Sequence, residues 1–221
     1  MSNMVSNERI VEYAWVLREL DKDVKVVLDV GCWGTYFPIM LASLGIQVYG
    51  IDLRDVKYSH PNFTFIHGDA LNIDSLIEEN LQFDAITIIS TLEHIGILNR
   101  RDNEIDPDAD VKLLKRLVNK LKSKGLILIT VPVGKYKILK IIREFRRRKG
   151  ISIKIVNWQK IYDKKTLIKL CIPNLRIEKI EFFEEKNGSW TPTSESRVFN
   201  YEYPIIGAKI KSIACLKLRK V

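Results

Sequence analysis

The sequence predicts an α/β fold, a mostly parallel sheet with helices on both faces, and three observations predict it. Short apolar runs alternate with helical patterns from Val24 to Val131, the rhythm of parallel strands joined by right-handed crossovers. The run Ala85–Ile89 is apolar without interruption, as a central strand buried on both faces requires. The chain has 221 residues, 46% of them hydrophobic and 29% charged, enough to pack one domain of ordinary size and too apolar for disorder.

The elements follow in order. Residues 7–20 carry Ile10, Tyr13, Ala14, Leu17 and Leu20 at helical spacing. Val24 to Val30 is a buried strand running into Gly31, and Pro38 to Leu44 is a helix closed by Gly45. Gln47–Ile51 and Phe63–Ile66 are the second and third strands, followed by Asp52 and by Gly68-Asp69. Ile73 to Asn80 is a short helix with Asp74 or Asn72 as cap. Ala85–Ile89 is the fourth strand. Val111 to Leu121 is a helix with Val111, Leu114, Leu117, Val118 and Leu121 on one side, and Leu126 to Val131 is the fifth strand, stopped by Pro132. Residues 135–149 have the pattern of a basic amphipathic helix. Ile151, Ile153 and Ile155 alternate as a β extension, and Asp163 caps a helix from Lys164 to Cys171. Two late strands lie around 176–183 and 209–219, with a polar loop, 184–203, between them, which makes seven strands.

Composition limits the function. No apolar run reaches the roughly 18 residues of a membrane span, and Met1 to Ile10 lacks the apolar core of a secretory signal. Cys32, Cys171 and Cys215 are far apart and without nearby histidine, which argues against a disulfide framework or a structural zinc site and places the chain in a reducing, cytoplasmic compartment. Charge is uneven: residues 1–110 hold 8 Lys and Arg against 19 Asp and Glu, whereas residues 111–221 hold 28 against 8. A basic half suits an anionic partner, unless it is only a solvated lysine-rich surface. The densest basic run is Arg143, Arg146, Arg147, Arg148 and Lys149.

The chemistry-bearing residues sit at strand ends. The first strand leads into Asp29-Val30-Gly31-Cys32-Trp33-Gly34-Thr35, a glycine turn that lets a ligand approach the backbone. A dinucleotide fingerprint would need glycine at Trp33 and Tyr36, and no Gly-Lys-Ser/Thr is present. Asp52, 21 residues past Gly31, is placed to accept both hydroxyls of a ribose. Asp69 beside Ala70 can reach an exocyclic amine of adenine, and the fourth strand ends in Ser90-Thr91-Leu92-Glu93-His94.

LDVGCWG, YGIDLR, HGDALN, FDAITIISTLEHIG and KLKSKGLILITVPVG together resemble the sequential motifs of the class I S-adenosylmethionine-dependent methyltransferases over roughly residues 22–135. The resemblance implies a Rossmann-like seven-stranded sheet whose two late strands close it as a C-terminal antiparallel pair. It implies one methyltransferase domain over 1–221, with 135–205 as its acceptor-side elaboration. It implies S-adenosylmethionine as cofactor, with Asp29, Gly31, Cys32 and Gly34 against the methionine part, Asp52 and Leu53 at the ribose, Asp69 and Ala70 at the adenine, and Ser90 and Thr91 flanking from the other side. FPIMLASLG, HPNFTF, ISTLEHIG, DPDAD and VPVG further resemble a poorly characterised branch, whose Glu-His-x-Gly-Leu-Gly-x-Tyr-Gly-Asp here reads EHIGILNRRDN. Trp33 and Thr35 replace two glycines of the superfamily's turn, so Trp33 either walls the pocket or blocks it.

Methyl transfer from a sulfonium is a direct displacement, helped by a base only when the acceptor has a proton to lose. His94 is the candidate base, or else a helix cap; Glu93 orients it, binds the acceptor or contacts the cofactor. His60 and His67 are not placed for catalysis. The strand-four signature of base-amine methylation is missing, and no cysteine stands where cytosine C5 chemistry needs one. Asp102, Glu104, Asp106, Asp108 and Asp110 begin like a calcium loop, but Val111 and Leu117 replace its glycine and glutamate; an acidic helix start explains them better. The reading is therefore methylation, at oxygen, of an anionic or hydroxyl-bearing small molecule or glycan. The alternatives are RNA methylation through residues 135–160, with Trp158 and Tyr162 as stacking surfaces, and a non-catalytic scaffold with the cofactor pocket spoiled by Trp33.

Overall fold

The computed structural model describes residues 7–97, 105–147, 150–207 and 209–221. Helix α1 (Arg9–Glu19) precedes β1 (Val26–Val30), α2 (Phe37–Ser43), β2 (Gln47–Asp52), β3 (Phe63–His67), α3 (Ile73–Leu76) and β4 (Phe83–Ile89). Then come α4 (Ala109–Asn119), β5 (Leu121–Pro132), β6 (Lys137–Arg147), β7 (Gly150–Ile161), α5 (Lys164–Ile168), β8 (Leu175–Lys186), β9 (Ser189–Thr193), α6 (Glu195–Val198) and β10 (Ser212–Lys220). The main sheet runs β3-β2-β1-β4-β5-β10-β8-β9. Strands β1 to β5 are parallel, and β10 lies antiparallel between β5 and β8.

Both faces of this sheet are covered, and alternate residues of one strand show it. Leu28 joins a core with Ile86, Leu113 and Leu117, whereas its neighbour Val27 joins Trp15, Phe37 and Leu41 on the other side. The parallel crossovers place the ends of β1, β2, β3 and β4 along one edge, where open α/β sheets take ligands.

Several expectations are corrected. The main sheet has eight strands, because β9 pairs with β8 inside the segment read as a loop. The turn between them is Asn187-Gly188, both at positive φ (52° and 84°), a two-residue hairpin signal that the polar composition of the segment obscured. The helix expected over 135–149 is not formed by its described residues: β6 pairs antiparallel with β7 in a separate two-stranded sheet. Apolar residues at 138, 139, 141, 142 and 145 fit helical spacing, but the isoleucine-rich strand that follows supplies cross-strand partners, which local periodicity does not report.

The buried face of α1 is Glu12, Trp15, Val16 and Glu19, while Ile10 and Ala14 are exposed. Charge partners across the sheet decide this: Glu19 meets Arg18 and Lys179, and Glu181 receives the Trp15 indole N–H at 2.6 Å and the Arg18 guanidinium. The helix over 73–80 shortens to a 3-10 turn (Ala70–Asn72) and one turn of α3, and its cap is Asp69, whose carboxylate accepts the Leu71 N–H at 2.9 Å. Asp163 caps α5 as expected, in a reciprocal bond with Thr166.

Candidate active site

The site begins at the turn after β1. Gly31 has φ +84°, and a Cβ there would lie 2.2 Å from Thr91 Oγ1, so glycine is required for the β1 and β4 ends to meet. Gly34 also has positive φ and open space around it. Cys32 is buried, its carbonyl accepts the Tyr58 hydroxyl at 2.8 Å, and burial pushes its thiol up, away from reactivity. Thr35 accepts the Phe37 N–H at 2.9 Å and so starts α2 rather than filling the turn.

Asp52 gathers this loop around itself. Its two oxygens accept the Trp33 N–H at 3.1 Å and the Arg54 N–H at 3.0 Å. The Trp33 ring, 44% exposed, lies 3.6 Å beneath the Arg54 guanidinium. Trp33 therefore turns outward under Arg54. Leu53 is exposed, and its carbonyl meets His67 Nε2 at 3.0 Å. Asp69 and the buried Ala70 stand at the neighbouring strand end. Asp29 lies under the turn, its carboxylate taking the Thr87 hydroxyl at 2.5 Å; burial pushes its carboxyl up to about 6 against that bond.

The β4 end is built around a residue that the spacing of α1 did not single out. Glu12 is fully buried and accepts the Ser90 hydroxyl at 2.5 Å, the Thr130 hydroxyl at 2.7 Å and Arg9 Nη1 at 2.7 Å. Ser90 sits at φ +40°, held by its N–H to both oxygens of Thr130 at 3.0 Å. The signal available in the sequence was a Glu at the centre of the first helix, on the same turn as Trp15 and Val16. This network places α1 over the site and sets Arg9 close enough to Glu93 for their charges to interact.

Glu93 and His94 follow in a 3-10 turn, Leu92–His94. Glu93 is buried, its Oε2 has no hydrogen-bond partner among the described residues, and burial pushes its carboxyl up to about 8. His94 Nε2 is 4.0 Å from Glu93 Oε1. His94 Nδ1 is 2.7 Å from the Trp158 carbonyl on β7, and the two rings meet edge-on at 4.8 Å. Thus the β6–β7 segment reaches the site through Trp158. Tyr162 of that segment is used otherwise: its hydroxyl bonds to Asp110 and it is buried, so it is not a stacking surface.

The described part of the acidic cluster is neutralised by lysine. Asp106 pairs with Lys112 at 2.7 Å, Asp108 with Lys169 at 3.6 Å, and Asp110 with the buried Lys160 at 2.7 Å. Asp102 and Glu104 lie outside the described residues, as do Arg148 and Lys149. Among the described residues no helix is long and apolar enough to cross a membrane, and no group of three or more side chains is arranged to hold a metal.

These residues fit the expected cofactor. The turn is open at Gly34, and Asp52 is fixed by backbone donors. The edge carries Asp29, Asp52 and Asp69, an acidic surround suited to a sulfonium cation.

Comparison with known proteins agrees. A family profile described as a methyltransferase domain matches residues 7–171. No curated protein matches the sequence. Among solved structures, the CcbJ methyltransferase from Streptomyces caelestis superposes with TM-score 0.59 at 11% identity, over 100% of this chain and 99% of that one. An S-adenosylmethionine-dependent methyltransferase from Clostridium acetobutylicum gives 0.56 at 12%, over 96% and 95%. The N-methyltransferase NodS from Bradyrhizobium japonicum, in complex with S-adenosyl-L-homocysteine, gives 0.56 at 14%, over 99% and 89%. The profile spans most of the chain, which therefore belongs to this family of methyltransferase domains, and the superpositions agree with its fold.

Proposed function

We propose that this enzyme methylates an oxygen of a small-molecule or glycan-type acceptor, with His94 as general base. Asp52 and Leu53 would hold the ribose of S-adenosylmethionine, Asp69 and Ala70 the adenine, and the turn Asp29 to Gly34 the methionine part, with Ser90 and Thr91 opposite. The cofactor supplies an electrophilic methyl group on a sulfonium.

The observation that carries the proposal is the bond between His94 Nδ1 and the Trp158 carbonyl. A carbonyl only accepts, so Nδ1 holds a proton, and in the neutral form of the ring the lone pair is then on Nε2. His94 Nε2 would take the proton that the acceptor oxygen gives up when the methyl group leaves the cofactor's sulfur for that oxygen. Glu93, protonated at neutral pH by its burial, sits beside Nε2 as a polar neighbour without a competing full charge. The basic C-terminal half, 28 Lys and Arg against 8 Asp and Glu over residues 111–221, favours an anionic acceptor.

Calorimetric titration with S-adenosylmethionine and its demethylated product, on the wild type and on Asp52→Ala, tests the cofactor site. Binding that Asp52→Ala weakens at least about tenfold, the loss of charge-assisted bonds, is the expected result. A folded protein that binds neither compound would favour the scaffold reading. A screen of hydroxyl and amine acceptors with labelled methyl groups follows. Transfer to an amine, or turnover unchanged in His94→Ala, would overturn the oxygen assignment.

A further inference from the structure

We propose that the β6–β7 hairpin is a docking surface for an anionic lipid bilayer, independent of the methyl acceptor. The hairpin is a two-stranded sheet apart from the main one, and its two halves differ. At its base Leu139, Gln159, Lys160 and Ile161 are buried, and isolated bridges Val133–Tyr162 and Lys140–Ile206 tie it to the rest of the domain. Beyond that base, Ile142 and Ile155 are direct cross-strand partners, 61% and 57% exposed. Ile205 and Ile206, also exposed, lie in the segment that bridges to Lys140. A cross-strand pair shares one face of its ribbon, so the two isoleucines present a single apolar patch.

Charge selects what covers it. Residues 137–159 contain eight Lys and Arg against one Glu. Two copies meeting through this patch would bring two such surfaces together, so self-association is disfavoured. Nucleic acid would answer the charge, but it rewards aromatic stacking platforms, and among the described residues of the two strands the exposed apolar side chains are Ile142 and Ile155; Trp158 is engaged with His94. Branched aliphatic residues on strands whose sequence is rich in cations are the composition that enters the acyl boundary while cations meet anionic headgroups.

The test is co-sedimentation of the full chain with phosphatidylcholine vesicles and with phosphatidylcholine–phosphatidylglycerol vesicles, at low and high salt. Binding to the mixed vesicles alone, weakened by salt, is expected. Ile142→Asp/Ile155→Asp should lower partitioning by more than about tenfold, and Lys140→Glu by roughly fivefold or more. Cofactor titration and thermal melting confirm that the variants are folded, and exposed Lys140 is a variant whose fold is not at stake. Equal binding to neutral vesicles, or retention unaffected by these substitutions, would overturn the proposal. So would capture by single-stranded RNA without vesicle binding, or a concentration-dependent dimer abolished by the isoleucine changes.

Discussion

Replacing Glu93 by glutamine should stabilise the protein at alkaline pH, and the size of the effect follows from its burial. The side chain has one oxygen without a partner among the described residues, and burial raises its pKa from 4.5 to about 8. Below pH 4.5 the carboxyl is protonated in both folded and unfolded chains, and its ionisation costs nothing. Between 4.5 and about 8 the unfolded chain releases the proton while the folded one keeps it, so stability falls as pH rises, by about 1.4 kcal/mol per pH unit for a single group. Across the whole window the loss has an upper bound of roughly 5 kcal/mol. Asp29 acts with the same sign, but its window closes at about 6. The interval from about 6 to about 8 therefore belongs to Glu93 among these two. Urea denaturation at several pH values in that interval, on the wild type and on Glu93→Gln, is the assay. The wild type should lose stability with rising pH, and the variant should lose less and be the more stable of the two at the upper end. Equal slopes in the two proteins would refute the assignment of a neutral, buried Glu93.

Other substitutions test the rest of the site and its supports. Gly31→Ala combines an unfavourable φ of about 1–2 kcal/mol with overpacking of about 1–3 kcal/mol against Thr91; thermal melting should show both, and Thr91→Ala should recover only the second. Asp110→Asn removes the charge that faces Lys160 and the hydroxyl of Tyr162, and should cost about 3–5 kcal/mol in denaturant unfolding; adding Lys160→Met should recover much of it. Tyr58→Phe deletes the hydroxyl held by the Cys32 carbonyl and should cost about 1 kcal/mol, with weaker cofactor binding by calorimetry because that bond anchors the turn.

How much of this was legible in the sequence depends on the range of the interaction involved. Strands β1 to β5, their parallel order and the strand-end residues Gly31, Asp52, Asp69, Ser90 and Thr91 could be read directly, because short buried runs and the turns after them are local in chain position. The cap at Asp163 was legible for the same reason. Three features were not. The β6–β7 hairpin has a helical spacing of apolar residues, and only pairing across the turn decides it. The buried face of α1 carries two glutamates, which hydropathy assigns to solvent; Ser90, Thr130 and Lys179, all distant in sequence, bring them inside. The tautomer of His94 depends on a carbonyl 64 residues away. The sequence by itself thus determined the five parallel strands, the turns at their ends and the methyltransferase family. Only the tertiary structure decided which polar groups are buried together, because a buried charge is tolerated where its partners converge, and those partners come from separate elements.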